Sequence, residues 1–88
     1  MVRVTAEEAQ QAITAFIVEN FLFGNAKEAP APAASFLETG LVDSTGVLEI
    51  VSFLEGKYGI SVGDDELTPQ NLDSVANLAA FVVRKKGG

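Results

Sequence analysis

Apolar residues return every three or four positions along most of this chain, and almost nowhere at every second one. That period belongs to a helix with one buried face, so it directs the chain to helix-on-helix packing and not to a sheet. The stretch Leu41 to Leu54, running from a loop into a helix, organises the rest. Drawn at about 100° per residue, Val47, Ile50, Val51, Leu54 and Tyr58 fall within about 100° of arc. Thr45, Glu49, Ser52 and Gly56 cluster on the opposite side, with Phe53 at the edge of that outward face, about 60° from its centre. Asp43-Ser44 supplies two side chains suited to the free N–H groups of a first helical turn, and Gly59 closes the helix after about Lys57.

The same logic runs through the chain. Thr5-Ala6-Glu7-Glu8 matches a capping box ahead of a helix to about Phe21, whose buried face is Ala9, Ile13, Phe16, Ile17 and Phe21. Gly24-Asn25 ends it. Residues 24–43 read as a long loop, with Pro30 and Pro32 in an Ala-rich segment that reads as a flexible insertion. Phe36 and Leu37 are expected to pin that loop to the helices. Ile60 and Val62 alternate with polar neighbours, but the run is too short for an independent strand. Thr68-Pro69 opens a short helix anchored by Leu72. Asp73-Ser74 caps a last helix to about Arg84, with Val75, Leu78, Ala79 and Val82 buried and Phe81 on the flank. The expectation is one all-α domain over residues 1–88, a small four-helix bundle of three longer helices and one short one, with frayed ends at 1–4 and 85–88.

Composition narrows function. The 88 residues include no Cys and no His, which removes thiolate chemistry of the chain's own and the commonest general base and metal ligand. Twelve acidic against six basic residues give a net charge of −6, which disfavours nucleic acid and anionic membranes and suits partners with a basic patch. No apolar run approaches the length of a membrane span, and the expected compartment is the cytoplasm. Asp64-Asp65-Glu66 lacks the spacing of a calcium loop and reads as a solvated turn. No acidic residue pairs with a His, Lys or Cys nucleophile in the pattern of an enzyme site.

Ser44 is the candidate site. A serine at a helix start stands where N–H groups and the macrodipole favour a phosphate. It equally reads as a cap, and Asp73-Ser74-Val75 repeats the form. Context separates the two: Ser44 follows a long loop, has small neighbours in Thr45 and Gly46, and precedes a helix bearing Glu49 and Glu55, whereas Ser74 precedes an apolar one.

The segment Phe36-Leu37-Glu38-Thr39-Gly40-Leu41-Val42-Asp43-Ser44, followed by the helix with Glu49 and Leu54, resembles the phosphopantetheine attachment region of acyl and peptidyl carrier proteins. The likeness extends to the N-terminal helix, the long first loop, Gly59-Ile60-Ser61-Val62, the acidic stretch and the final helix. Thr45 stands where many members have Leu, and Gly46 where a more polar residue is common. The string Asp-Ser-Thr-Gly-Val-Leu-Glu looks most like discrete carriers that serve adenylate-forming ligases.

The resemblance implies an acyl-carrier-like bundle, not an enzyme, whose Ser44 a separate phosphopantetheinyl transferase esterifies with 4′-phosphopantetheine from coenzyme A. It implies an acyl or aminoacyl thioester on the arm's thiol, loaded by a ligase and passed to acyl-accepting enzymes in lipid or secondary-metabolite biosynthesis. Asp43 would assist modification. Thr45, Glu49, Phe53 and Glu55 would meet partners, as a monomer without nucleic acid or membrane. The other reading of the same residues is a helical interaction module without a prosthetic group.

Overall fold

A computed structural model describes residues 5–86. Five α-helices lie in that span: α1 (Ala6–Phe21), α2 (Phe36–Thr39), α3 (Ser44–Tyr58), α4 (Pro69–Leu72) and α5 (Val75–Lys86). Two 3₁₀ turns, Ala26–Glu28 and Asp64–Glu66, complete the regular structure, and no strand occurs among the described residues. The three long helices are the expected ones. The fold is a small acyl-carrier-like helical bundle. It gains α2, a single turn inside the expected loop, and keeps its last helix regular through Lys86, where fraying was expected from residue 85. Residues 1–4, 87 and 88, the other expected frayed ends, lie outside the described span.

The core forms where the apolar stripes meet. Ala9, Ile13 and Ile17 of α1, Ile50, Val51 and Leu54 of α3, and Val75, Leu78, Ala79, Phe81 and Val82 of α5 are buried together with Phe36, Val42 and Leu72. The α1 and α5 faces make the most extensive helix–helix contact, and α3 packs on both. Phe81 is 2% exposed, in the core and not on the flank, because α5 is covered on more than one side. Ile60 and Val62 pack against the same cluster.

Local chemistry fixes the helix ends. The Thr5 hydroxyl accepts from the Glu8 N–H at 3.1 Å, and Ser74 Oγ accepts from the Asn77 N–H at 3.0 Å. The end of α1 differs from expectation. Gly24 N–H donates to the Val18 carbonyl at 2.8 Å, but the left-handed conformation begins one residue earlier, at Phe23 with φ 53°.

The first loop is strapped down and not loose. Phe36 is 1% exposed and pins it, as expected; Leu37 does not, being 63% exposed. Hydrogen bonds do the rest. Asp73, expected to cap α5, instead receives the Ser35 hydroxyl on one carboxylate oxygen and the Leu37 N–H at 3.0 Å on the other. The Asp73 carbonyl accepts from the Phe36 N–H at 2.7 Å. The Pro32 carbonyl takes the Ala76 N–H at 2.8 Å, so the Pro/Ala-rich segment satisfies a first-turn donor of α5 that would otherwise lack a partner.

Candidate functional site

Ser44 sits at the first helical position of α3, and Asp43 precedes it as the cap. Asp43 Oδ1 accepts from the Gly46 N–H at 2.8 Å, and the Asp43 carbonyl accepts from the Val47 N–H at 2.9 Å. The capping duty is therefore discharged by the aspartate. The Ser44 side chain is exposed, and its hydroxyl has no hydrogen-bond partner among the described residues. Ser74 is the opposite case: 5% exposed, with its oxygen committed to the Asn77 N–H. Two serines that look alike in sequence differ in availability, and the difference is which residue caps the helix. Ahead of Ser44, Gly40 ends α2 at φ 70°, and Val42 is buried.

Gly46 does not leave open space near Ser44. A Cβ there would lie 2.7 Å from Val42 Cγ1 and 2.9 Å from Phe21 Cε1. The end of α1 is thus seated directly on the start of α3, and the glycine is what permits that approach.

Two depressions flank the serine. One, of 280 Å³, has Leu37, Leu48 and Leu67 at exposed positions and Val47, Pro69 and Leu72 in its lining, with Thr68 and Asp73 as its polar groups. The other, of 340 Å³, is walled by Phe21, Gly40, Leu41, Gly46 and Thr45, with the carboxylates of Asp43 and Glu49. Neither lining contains a basic side chain. Ser44 is at the positive end of a 15-residue helix, so the site combines an accessible nucleophilic oxygen with a field that favours a bound phosphate. A phosphopantetheine ester fits these residues: the oxygen is not engaged, the helix end suits the phosphate, and an apolar groove adjoins it.

The four expected partner residues separate into two pairs. Thr45 and Glu49 are exposed beside Ser44. Glu55 is half-buried, and its Oε2 accepts from the Val62 N–H at 2.9 Å, so it holds the chain that follows α3. Phe53 stacks on Phe16 with ring centroids 4.3 Å apart and planes at 20°, which assigns it to the contact between α1 and α3. Leu37, Leu48 and Leu67 were not foreseen at the site. For Leu48 a signal existed: on a helical wheel it occupies the flank that mirrors Phe53.

Among the described residues, the two groups whose proton affinity shifts are neither at Ser44 nor in the lining of the two depressions beside it. Burial, with a smaller contribution from the Glu8 charge, raises the Tyr58 hydroxyl above its ordinary value. The Gly63 N–H, then Lys85, holds the Glu66 carboxyl below its usual value. No group of three His, Cys, Asp or Glu is placed to hold a metal ion among the described residues, and no helix there is long and apolar enough to cross a membrane.

No protein-family model matches the chain. It is 31% identical over 70 residues to the probable acyl carrier protein PigG of Serratia sp. (strain ATCC 39006), an alignment covering 80% of this chain and 79% of that one.

Proposed function

The chain belongs to the acyl carrier protein family, and we propose that it holds an acyl or aminoacyl group as a thioester on a 4′-phosphopantetheine arm borne by Ser44. The observation that carries this reading is the division of labour at the start of α3, where Asp43 caps and the Ser44 hydroxyl is left exposed and unengaged. In the modification, Ser44 Oγ forms a bond to the pantetheine-side phosphorus of coenzyme A. The pyrophosphate P–O bond breaks, adenosine 3′,5′-bisphosphate leaves, and the hydroxyl proton passes to the transferase. Once attached, the arm supplies the thiol that this cysteine-free chain lacks. The chain's own residues orient and present. Asp43 fixes the helix end, the α3 dipole favours the phosphodiester, and Leu48 with Leu37 offers an apolar bed beside it. Thr45 and Glu49 face the enzymes that approach.

The likeness of Asp43 to Glu49 to discrete carriers points to loading by an adenylate-forming ligase, with transfer afterwards to an acyl-accepting enzyme. The test is intact mass after incubation with coenzyme A, magnesium and a broad-specificity phosphopantetheinyl transferase. Wild type and Ser74→Ala gain one phosphopantetheine, and Ser44→Ala gains none. Loading of Ser44→Ala would place the site elsewhere; no loading of the folded wild type would leave an interaction module without a prosthetic group.

A further inference from the structure

Phe23 is the most exposed large apolar side chain among the described residues, at 99%. It is also the one non-glycine residue there with positive φ. A left-handed residue after a helix is ordinarily glycine or asparagine, because a Cβ crowds the next carbonyl oxygen. This chain sets an aromatic residue in that conformation and places glycine one position later, at φ 81°. The ring receives no burial in exchange. A lone exposed apolar residue is ordinary, but one held in a disfavoured backbone conformation with almost no burial is an outlier that points outside the molecule.

Its location gives the direction. Phe21, two residues earlier, lies over Gly46, so the end of α1 meets the start of α3 and Phe23 belongs to the same pole as Ser44. The depression walled by Phe21 carries Asp43 and Glu49 and no basic group. The pole therefore carries an exposed aromatic side chain two residues beyond the one that walls an acidic hollow. Aromatic side chains of this kind dominate the energetics of protein–protein contacts.

We propose that Phe23 is a docking anchor for the phosphopantetheinyl transferase that modifies Ser44; the proposal rests on the carrier reading above. Two arguments select this occupant. The transferase must seat its reacting phosphorus on the Ser44 oxygen itself, so its surface must cover the pole, a requirement that no enzyme acting only on the arm's distant thiol has to meet. It also binds coenzyme A, a polyanion, so basic groups surround its active site and complement Asp43 and Glu49.

The test measures transfer from coenzyme A to the apo protein by a broad-specificity transferase with magnesium, comparing wild type with Phe23→Gly, Phe23→Asn and Phe23→Tyr. Glycine and asparagine suit the left-handed backbone, so both variants keep the fold, and Phe23→Gly melts at or above the wild-type temperature. The expected result is a rise in KM of about tenfold for both, with kcat little changed, and a near-normal KM for Phe23→Tyr. Unchanged KM in the glycine and asparagine variants overturns the proposal, as does a lower melting temperature, which would make the ring structural. A concentration-dependent wild-type dimer that Phe23→Gly dissolves would assign the ring to self-association and overturn it too. Wild type that is not loaded at all defeats the carrier reading, and this proposal with it.

Discussion

At residue scale, two glycines of the same helix make opposite demands. Gly46 is in contact: a methyl group there meets Val42 Cγ1 and Phe21 Cε1 at 2.7 and 2.9 Å. Gly46→Ala must push α1 from α3 or turn the Phe21 ring, and overpacking of this kind costs about 1–3 kcal/mol. Gly56 has nothing within 4 Å of an added Cβ, and it lies in the last turn of α3, where alanine is favoured over glycine by up to the about 0.5–1 kcal/mol of a helix interior. Gly56→Ala is expected to stabilise by up to that amount. Urea denaturation of both variants decides the matter, and effects of one sign would contradict this packing. A similar contrast holds for the serines. Ser74→Ala loses a buried cap and is expected to cost about 1 kcal/mol, rising to about 2 for a cap in a packed site. Ser44→Ala, which removes no intramolecular hydrogen bond among the described residues, leaves the denaturation midpoint within error.

At element scale, the first loop depends on one carboxylate. Asp73, distant in sequence but lining the same groove, holds Ser35 and the Leu37 N–H, and so positions α2, whose Leu37 rims that groove. Asp73→Ala removes two hydrogen bonds to a charged acceptor. We expect a loss of about 1–3 kcal/mol, given the residue's partial burial. Hydrogen exchange should accelerate at Leu37 and Glu38 while α1 and α5 stay protected; uniform acceleration would mean that Asp73 serves the whole core. The sequence could not show this role. Asp73 precedes a helix, and local spacing assigns it to capping. Its real partners are 36 and 38 positions away, and only the closed fold brings them near. The three long helices were legible because their signals, apolar spacing and end residues, are local. Leu48 and Phe53 mark where local signals stop deciding: they mirror each other on the wheel of α3. Phe16 of α1 covers Phe53 and leaves Leu48 open beside Ser44.

At the scale of the molecule, twelve carboxylates and six cations share a small body, and among the described residues one ion pair joins them, Lys85 to Glu66 at 3.0 Å. It ties the end of α5 to the acidic turn, with the Gly63 N–H on the same carboxylate oxygen at 2.9 Å. The Glu66 pKa is lower folded than unfolded. As pH falls the unfolded chain takes up this proton first, so the stability it contributes is present above the ordinary glutamate value and is lost as pH drops through the lower folded value. The melting-temperature gap between wild type and Glu66→Gln is expected to be widest above the ordinary glutamate range and to close as pH falls below it. A gap that widens with acid would refute the assignment. The site itself was only partly readable at this scale. Ser44 and Asp43 stood out in sequence, but their separate duties did not, because choosing which of two adjacent polar side chains turns back to the helix requires the backbone angles of Asp43.

That choice has a consequence for the working cycle of a carrier. Write folding and modification as the two sides of a thermodynamic square. Since the Ser44 oxygen takes part in no internal bond among the described residues, an ester there would break nothing in the native state, and the only coupling between the sides would be what the helix end and the apolar groove add to the arm. Under the proposed modification of Ser44, the bundle itself would carry little record of whether it is empty or charged, and an enzyme that tells the two apart would read the arm.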